Sequence, residues 1–136
     1  MARELALQGI YQWRVAGGTI SFIEAQLIET KEFYRSDGKY FSILFKGVLS
    51  DVSTLEETIQ PFLDRSLKEL SPVEFAILLL STYELIYFLE IPYRAIINEA
   101  IELARTYGGS DGYKYVNGVL DKLALKLRAV EISAQT

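Results

Sequence analysis

The residues best suited to chemistry in this chain of 136 residues cluster near its C-terminal end: Asp111, Tyr113, Lys114, Tyr115 and Asn117. Two aromatics flank a cation there, and single-stranded RNA is commonly held in that way, with bases stacked on rings and phosphates met by charge. Lys122, Lys126 and Arg128 continue the positive tendency. The same residues admit a plainer reading, in which Tyr115 is core and the lysines are a solvated face. Asn98, Glu99 and Glu102 form a carboxylate-rich stretch that would suit metal or acid–base work, but the chain has no histidine and no cysteine. Disulfides, thiol nucleophiles, Cys/His zinc sites and histidine catalysis are thereby removed together. No catalytic residue, metal ligand or cofactor is expected. Glu84 lies in so apolar a stretch that a buried, paired carboxylate is expected there.

Helices must position these groups. Pro92 and the spacing of Ile96, Ile97, Ala100, Ile101, Ala104 and Tyr107 predict a helix from about Pro92 to Tyr107. Gly108-Gly109 should stop it through a left-handed cap, and Ser110 or Asp111 should cap a second helix that places Val116, Val119, Leu120, Leu123 and Leu127 on one face. Asn98, Asn117 and Asp121 are expected to bond across the joint, with Gly118 admitting a neighbouring helix. Upstream, Ser71, Pro72 and Glu74 form a capping box before a run from Val73 to Phe88 that is apolar nearly all round, the pattern of a central core helix.

The first half reads the same way. Ala2 to Val15 is an amphipathic helix ended by Gly17-Gly18, with Gly9 either a weak point or a place of close helix approach. Capping signals at Ser21 to Glu24 and at Ser53 to Glu56 start two more helices, a third runs from about Tyr40 to Ser50, and Pro61 must kink, end or restart the helix that reaches it. No stretch alternates like a strand. The fold is therefore expected to be all-α and, by length, a single domain with an adequate core. Half the residues are hydrophobic, and the net charge of −4 argues against nucleic-acid binding over the whole surface while leaving room for a local patch. No apolar run approaches bilayer length and no signal-peptide pattern opens the chain, so a cytoplasmic protein without membrane contact is expected.

Several strings resemble a known family, the bacterial antitermination factors of the NusB type: ARELALQ at the start, LSPVE at Leu70 to Glu74, YEL at Tyr83 to Leu85, IPY with INEAIELA at Ile91 to Ala104, and the VNGVLDKLA block ending at Ala124. The resemblance implies two small antiparallel helix bundles packed into one domain, about residues 1–51 and 52–130. It also implies an RNA-binding factor that acts with a NusE-type small-subunit ribosomal protein. Together they would bind boxA-like RNA and help assemble an antitermination complex on RNA polymerase during ribosomal RNA transcription. By resemblance, Arg3, Asp111, Lys114 and Tyr115 fall on RNA-binding positions, and Tyr11 and Glu74 on the partner-docking surface.

Three departures stand out. Of the family's N-terminal arginine run this sequence carries only Arg3, Tyr113 replaces a usual histidine, and Phe75 stands where a basic residue is common. The alternative function is the NusB-like RNA-binding module of a ribosomal RNA methyltransferase, whose catalytic domain would need a glycine-rich cofactor loop. Self-association into a homodimer through Trp13, Tyr34 or Tyr40 is a further expectation.

Overall fold

The computed structural model describes residues 1–109 and 111–134, and among these every regular element is helical. The α-helices are α1 (Ala2–Ala16), α2 (Ile20–Ile28), α3 (Lys31–Tyr34), α4 (Gly38–Ser50), α5 (Val52–Ile59), α6 (Pro72–Tyr87), α7 (Tyr93–Tyr107), α8 (Gly112–Leu127) and α9 (Ala129–Ala134). Short 3-10 turns at Gln60–Phe62 and Leu67–Glu69 join α5 to α6. No described helix is long and apolar enough to cross a membrane.

The helix expected to be central is central. Residues from Phe75 to Thr82, with Glu84 and Leu85, are buried, and α6 packs against α1, α4, α5, α7 and α8. Ser71 starts it by accepting a hydrogen bond from the Glu74 amide, so the cap is present, although no bond returns from the Glu74 carboxylate. Around this hub, α1, α2 and α4 pack on one another, as do α7 and α8.

Other caps lie elsewhere than expected. Helix α2 is capped by Thr19, which accepts from the Phe22 amide, and Glu24 faces Lys46 at 3.4 Å. Helix α5 enters at Asp51 without a side-chain cap, so Ser53 lies inside it. Local pattern favours Ser and Glu three apart, but where the chain must turn is set by neighbouring helices. The same reason explains α3, capped by Thr30, and the capping box of Ser66 and Glu69, neither of which the apolar spacing indicates.

The glycines divide by what surrounds them. Positive φ occurs at Gly17 and Gly18, the turn after α1. Gly108 is instead extended, with φ −89° and ψ 178°, and its lack of a side chain is required because a Cβ would lie 2.6 Å from the Ala104 carbonyl oxygen. Gly9 is a close approach, where a Cβ would meet the Phe45 ring at 2.5 Å. Gly118 is exposed with nothing within 4 Å, so no helix packs there.

Arg128 also corrects the sequence expectation. It is not part of a positive face but is buried just beyond the end of α8, where it donates to the Leu85, Ile91, Glu84 and Phe88 carbonyls at 2.8, 2.9, 3.4 and 2.8 Å. One side chain thus gathers the carbonyls at the end of α6, although those of Glu84 and Phe88 also accept from the Phe88 and Ile91 amides. Glu131 completes the arrangement by accepting from Arg128 and, at 3.0 Å, from the Tyr93 amide.

Two outcomes follow for urea denaturation. Gly9→Ala should lower stability by about 1–3 kcal/mol through overpacking, whereas Gly118→Ala should raise it by about 0.5–1 kcal/mol through helix propensity. The Tyr93 amide first, and then Arg128, hold the Glu131 carboxyl below the usual glutamate range. Its stabilising contribution is therefore present at neutral pH and lost as pH falls through that lowered value. The stability gap between wild type and Glu131→Gln should accordingly close in acid, as read from melting temperatures across pH.

Candidate nucleic-acid interface

The start of α8 gathers the residues with chemical capacity. Asp111 precedes the helix without capping it, and its carboxylate faces Lys114 at 3.7 Å, both side chains being well exposed. Ser110, the other expected cap, lies outside the described residues. Tyr113 is covered by two cations, Arg105 at 4.8 Å from its ring centroid and Lys114 at 6.0 Å. Tyr115, half-buried one step further, has Arg65 over its ring at 4.2 Å. At the opposite end of α8, in its last turn, Lys126 approaches Phe62 at 5.9 Å and is not part of this cluster. A chain of net negative charge thus concentrates cations beside aromatic rings at one helix start, which suits stacking and phosphate contact.

Sequence spacing singled out Tyr113, Lys114 and Tyr115, but Arg65 and Arg105 come from other elements and carried no local signal. Asp64 binds Arg65 at 2.8 Å, and that hydrogen bond holds the Asp64 carboxyl below its usual range. Burial pushes the Tyr115 phenol up, and its hydroxyl is enclosed without a hydrogen bond of normal geometry. The core reading of Tyr115 holds for its hydroxyl, which is sealed, while its ring meets the surface cation Arg65.

Glu74 adjoins this region: its Cγ lies 3.9 Å from where a Cβ would sit on Gly112. The preceding residue, Val73, lines a groove of about 380 Å³ together with Leu5, Leu7, Tyr11, Glu4 and Tyr107. Tyr11 is exposed in this groove, and the Tyr107 hydroxyl donates to Glu4 at 3.0 Å. The α8 cluster and the groove thus adjoin at the N-terminus of α6.

Arg3 stands apart from that cluster. Its Nε lies 3.0 Å from both Glu84 carboxylate oxygens, and a terminal nitrogen reaches Glu84 at 2.8 Å. Tyr40 donates to the same carboxylate at 2.6 Å, and burial, then that hydrogen bond, raise its phenol far above the ordinary range. The expected buried, paired Glu84 is thus present. In contrast, Asn98 is exposed, and among the described residues Asn98, Asn117 and Asp121 form none of the cross-joint hydrogen bonds expected of them. Of the aromatics considered for self-association, Tyr34 is exposed, while Trp13 and Tyr40 pack against the core. At Phe75 the ring is buried and the Arg14 guanidinium lies 4.3 Å from its centroid, so a cation from α1 covers that position.

Comparison with known proteins decides what this arrangement belongs to. The family model described as the NusB family matches residues 1–125. The chain belongs to the NusB family. It is similar to the transcription antitermination protein NusB of Nitrosospira multiformis, with 65% identity covering 98% of this chain and 84% of that one. Among solved NusB structures, it is similar to T. maritima NusB at 31% identity, covering 90% of this chain and 87% of that one with a TM-score of 0.78. It also shares its fold with a chain from the crystal structure of antitermination factors NusB and NusE in complex with dsRNA. There the TM-score is 0.82 at 24% identity, covering 90% of this chain and 92% of that one.

The NusB fold here depends on the Arg3–Glu84 pair, so Glu84→Gln should lower stability by about 2–3 kcal/mol. That is near the lower end for breaking a buried pair, because Arg3 retains some contact with water. Denaturant titration checks it; an unchanged midpoint would contradict the assigned role.

Proposed function

We propose that this NusB-family chain is a non-enzymatic antitermination factor. With a NusE-type ribosomal protein it binds boxA-like RNA and helps assemble an antitermination complex on RNA polymerase during ribosomal RNA transcription, in the cytoplasm. The carrying observation is the nearly full-length match to an antitermination protein. That match spans too much of the relative to leave room for a methyltransferase domain, which disfavours the alternative reading. The NusB–NusE–dsRNA complex containing a chain of this fold supports the choice of partners.

In this reading Lys114 meets phosphate, Tyr115 offers its ring to a base, and Asp111 sets the position of Lys114. Arg3, committed to Glu84 through Nε and one terminal nitrogen, adds a phosphate contact through the other and holds α1 in place. Tyr11 and Glu74 receive the ribosomal protein, one from the groove and one from its margin, which brings protein and RNA to adjoining surfaces.

A mobility shift with purified chain, partner and a boxA oligonucleotide tests this. The partner should strengthen RNA binding. Lys114→Ala should weaken it about equally for all sequences and reduce the slope of log affinity against log salt by about 0.7, as loss of one single-strand phosphate contact requires. No gain in RNA affinity from the partner would overturn the proposal.

A further inference from the structure

The loop between the two 3-10 turns places Asp64 and Arg65 on Tyr115. Arg65 donates from Nε to Asp64 at 2.8 Å while its guanidinium carbon lies 4.2 Å from the ring centroid. The Tyr115 hydroxyl is buried. The ring face that meets Arg65 is therefore occupied, although a base needs an open aromatic face to stack. The two side chains of the cover remain partly in water, at 39% exposure for Arg65 and 69% for Asp64.

An exposed ion pair between adjacent residues is a weak restraint, and a phosphate accepts from a guanidinium at least as well as a carboxylate does. We infer that Asp64 holds Arg65 as a removable cover on Tyr115, and that incoming RNA draws the guanidinium from Asp64 to a phosphate and uncovers the ring for a base. This rests on the reading of the α8 start as the RNA surface. Arg65 is then an RNA contact, and Asp64 a residue that competes with RNA for it. Because the exchange needs a phosphate and an unpaired base together, it favours single strands over duplex.

The experiment uses the full chain with its ribosomal-protein partner and a boxA-like oligoribonucleotide. In the free protein, the Arg65 side-chain protons should be shifted upfield in NMR spectra by the Tyr115 ring, and saturating RNA should return them toward ordinary values. Asp64→Asn should tighten RNA binding about two- to fivefold with the salt slope unchanged, while Arg65→Ala should weaken it roughly tenfold and lower the slope by about 0.7. Asp121→Asn removes an exposed carboxylate further along α8 and should leave affinity nearly unchanged. Arg65 protons that stay upfield in the RNA complex would overturn the exchange, as would an equal gain from Asp121→Asn. Failure of the wild-type complex to bind RNA at all would overturn the underlying site reading as well.

Discussion

One buried carboxylate organises much of this molecule. Glu84 projects from α6 and is gripped by Arg3 from α1 and by Tyr40 from α4, so three helices far apart in sequence converge on a single negative charge. A charge removed from water is costly unless its partners are well placed, and the pairing is therefore demanding about geometry. At the same C-terminal end of α6, Arg128 performs the complementary task by donating to the Leu85 and Phe88 backbone carbonyls. Both devices act on α6, whose nearly uniform apolarity would otherwise specify burial without specifying orientation.

This arrangement changes the meaning of the arginines. Arg3 and Arg128 both look like surface charge in sequence, yet one is bound to Glu84 and the other is buried. The cations beside the α8 rings are Arg65, Arg105 and Lys114, each with a carboxylate close by on its own segment: Asp64, Glu102 and Asp111. The patch is thus nearly neutral in the free protein. Its capacity for RNA lies in weak surface pairs that a polyanion can replace rather than in a strong standing field, which fits a chain with a net charge of −4.

Much of the fold was legible because helical periodicity and a strong cap report on the chain locally. The Ser71-Pro72 start and apolar run of α6 gave both its span and its burial, and the spacing of Val116, Val119, Leu120 and Leu123 gave the buried face of α8. Caps chosen among several nearby Ser, Thr and Asp residues were less legible. Thr19 rather than Ser21 starts α2 because the direction of entry is imposed by helices packed nearby. The glycines show the same limit: the sequence leaves Gly9 as either a weak point or a close approach, and only Phe45 and Leu27 decide for the contact.

By itself, the sequence determined the all-helical class, the central helix, the exclusion of cysteine and histidine chemistry, and the strings that place the chain in the NusB family. Those properties reside in composition and short spacing. Tertiary structure decided which charges face solvent and which face one another. Arg3 meets Glu84 across 81 positions, and Arg65 meets Tyr115 from a loop fifty residues upstream. A side chain's charge is written in the sequence, but its partner is set by where packing brings distant helices, and that partner determines whether the charge supports the fold or remains available to RNA.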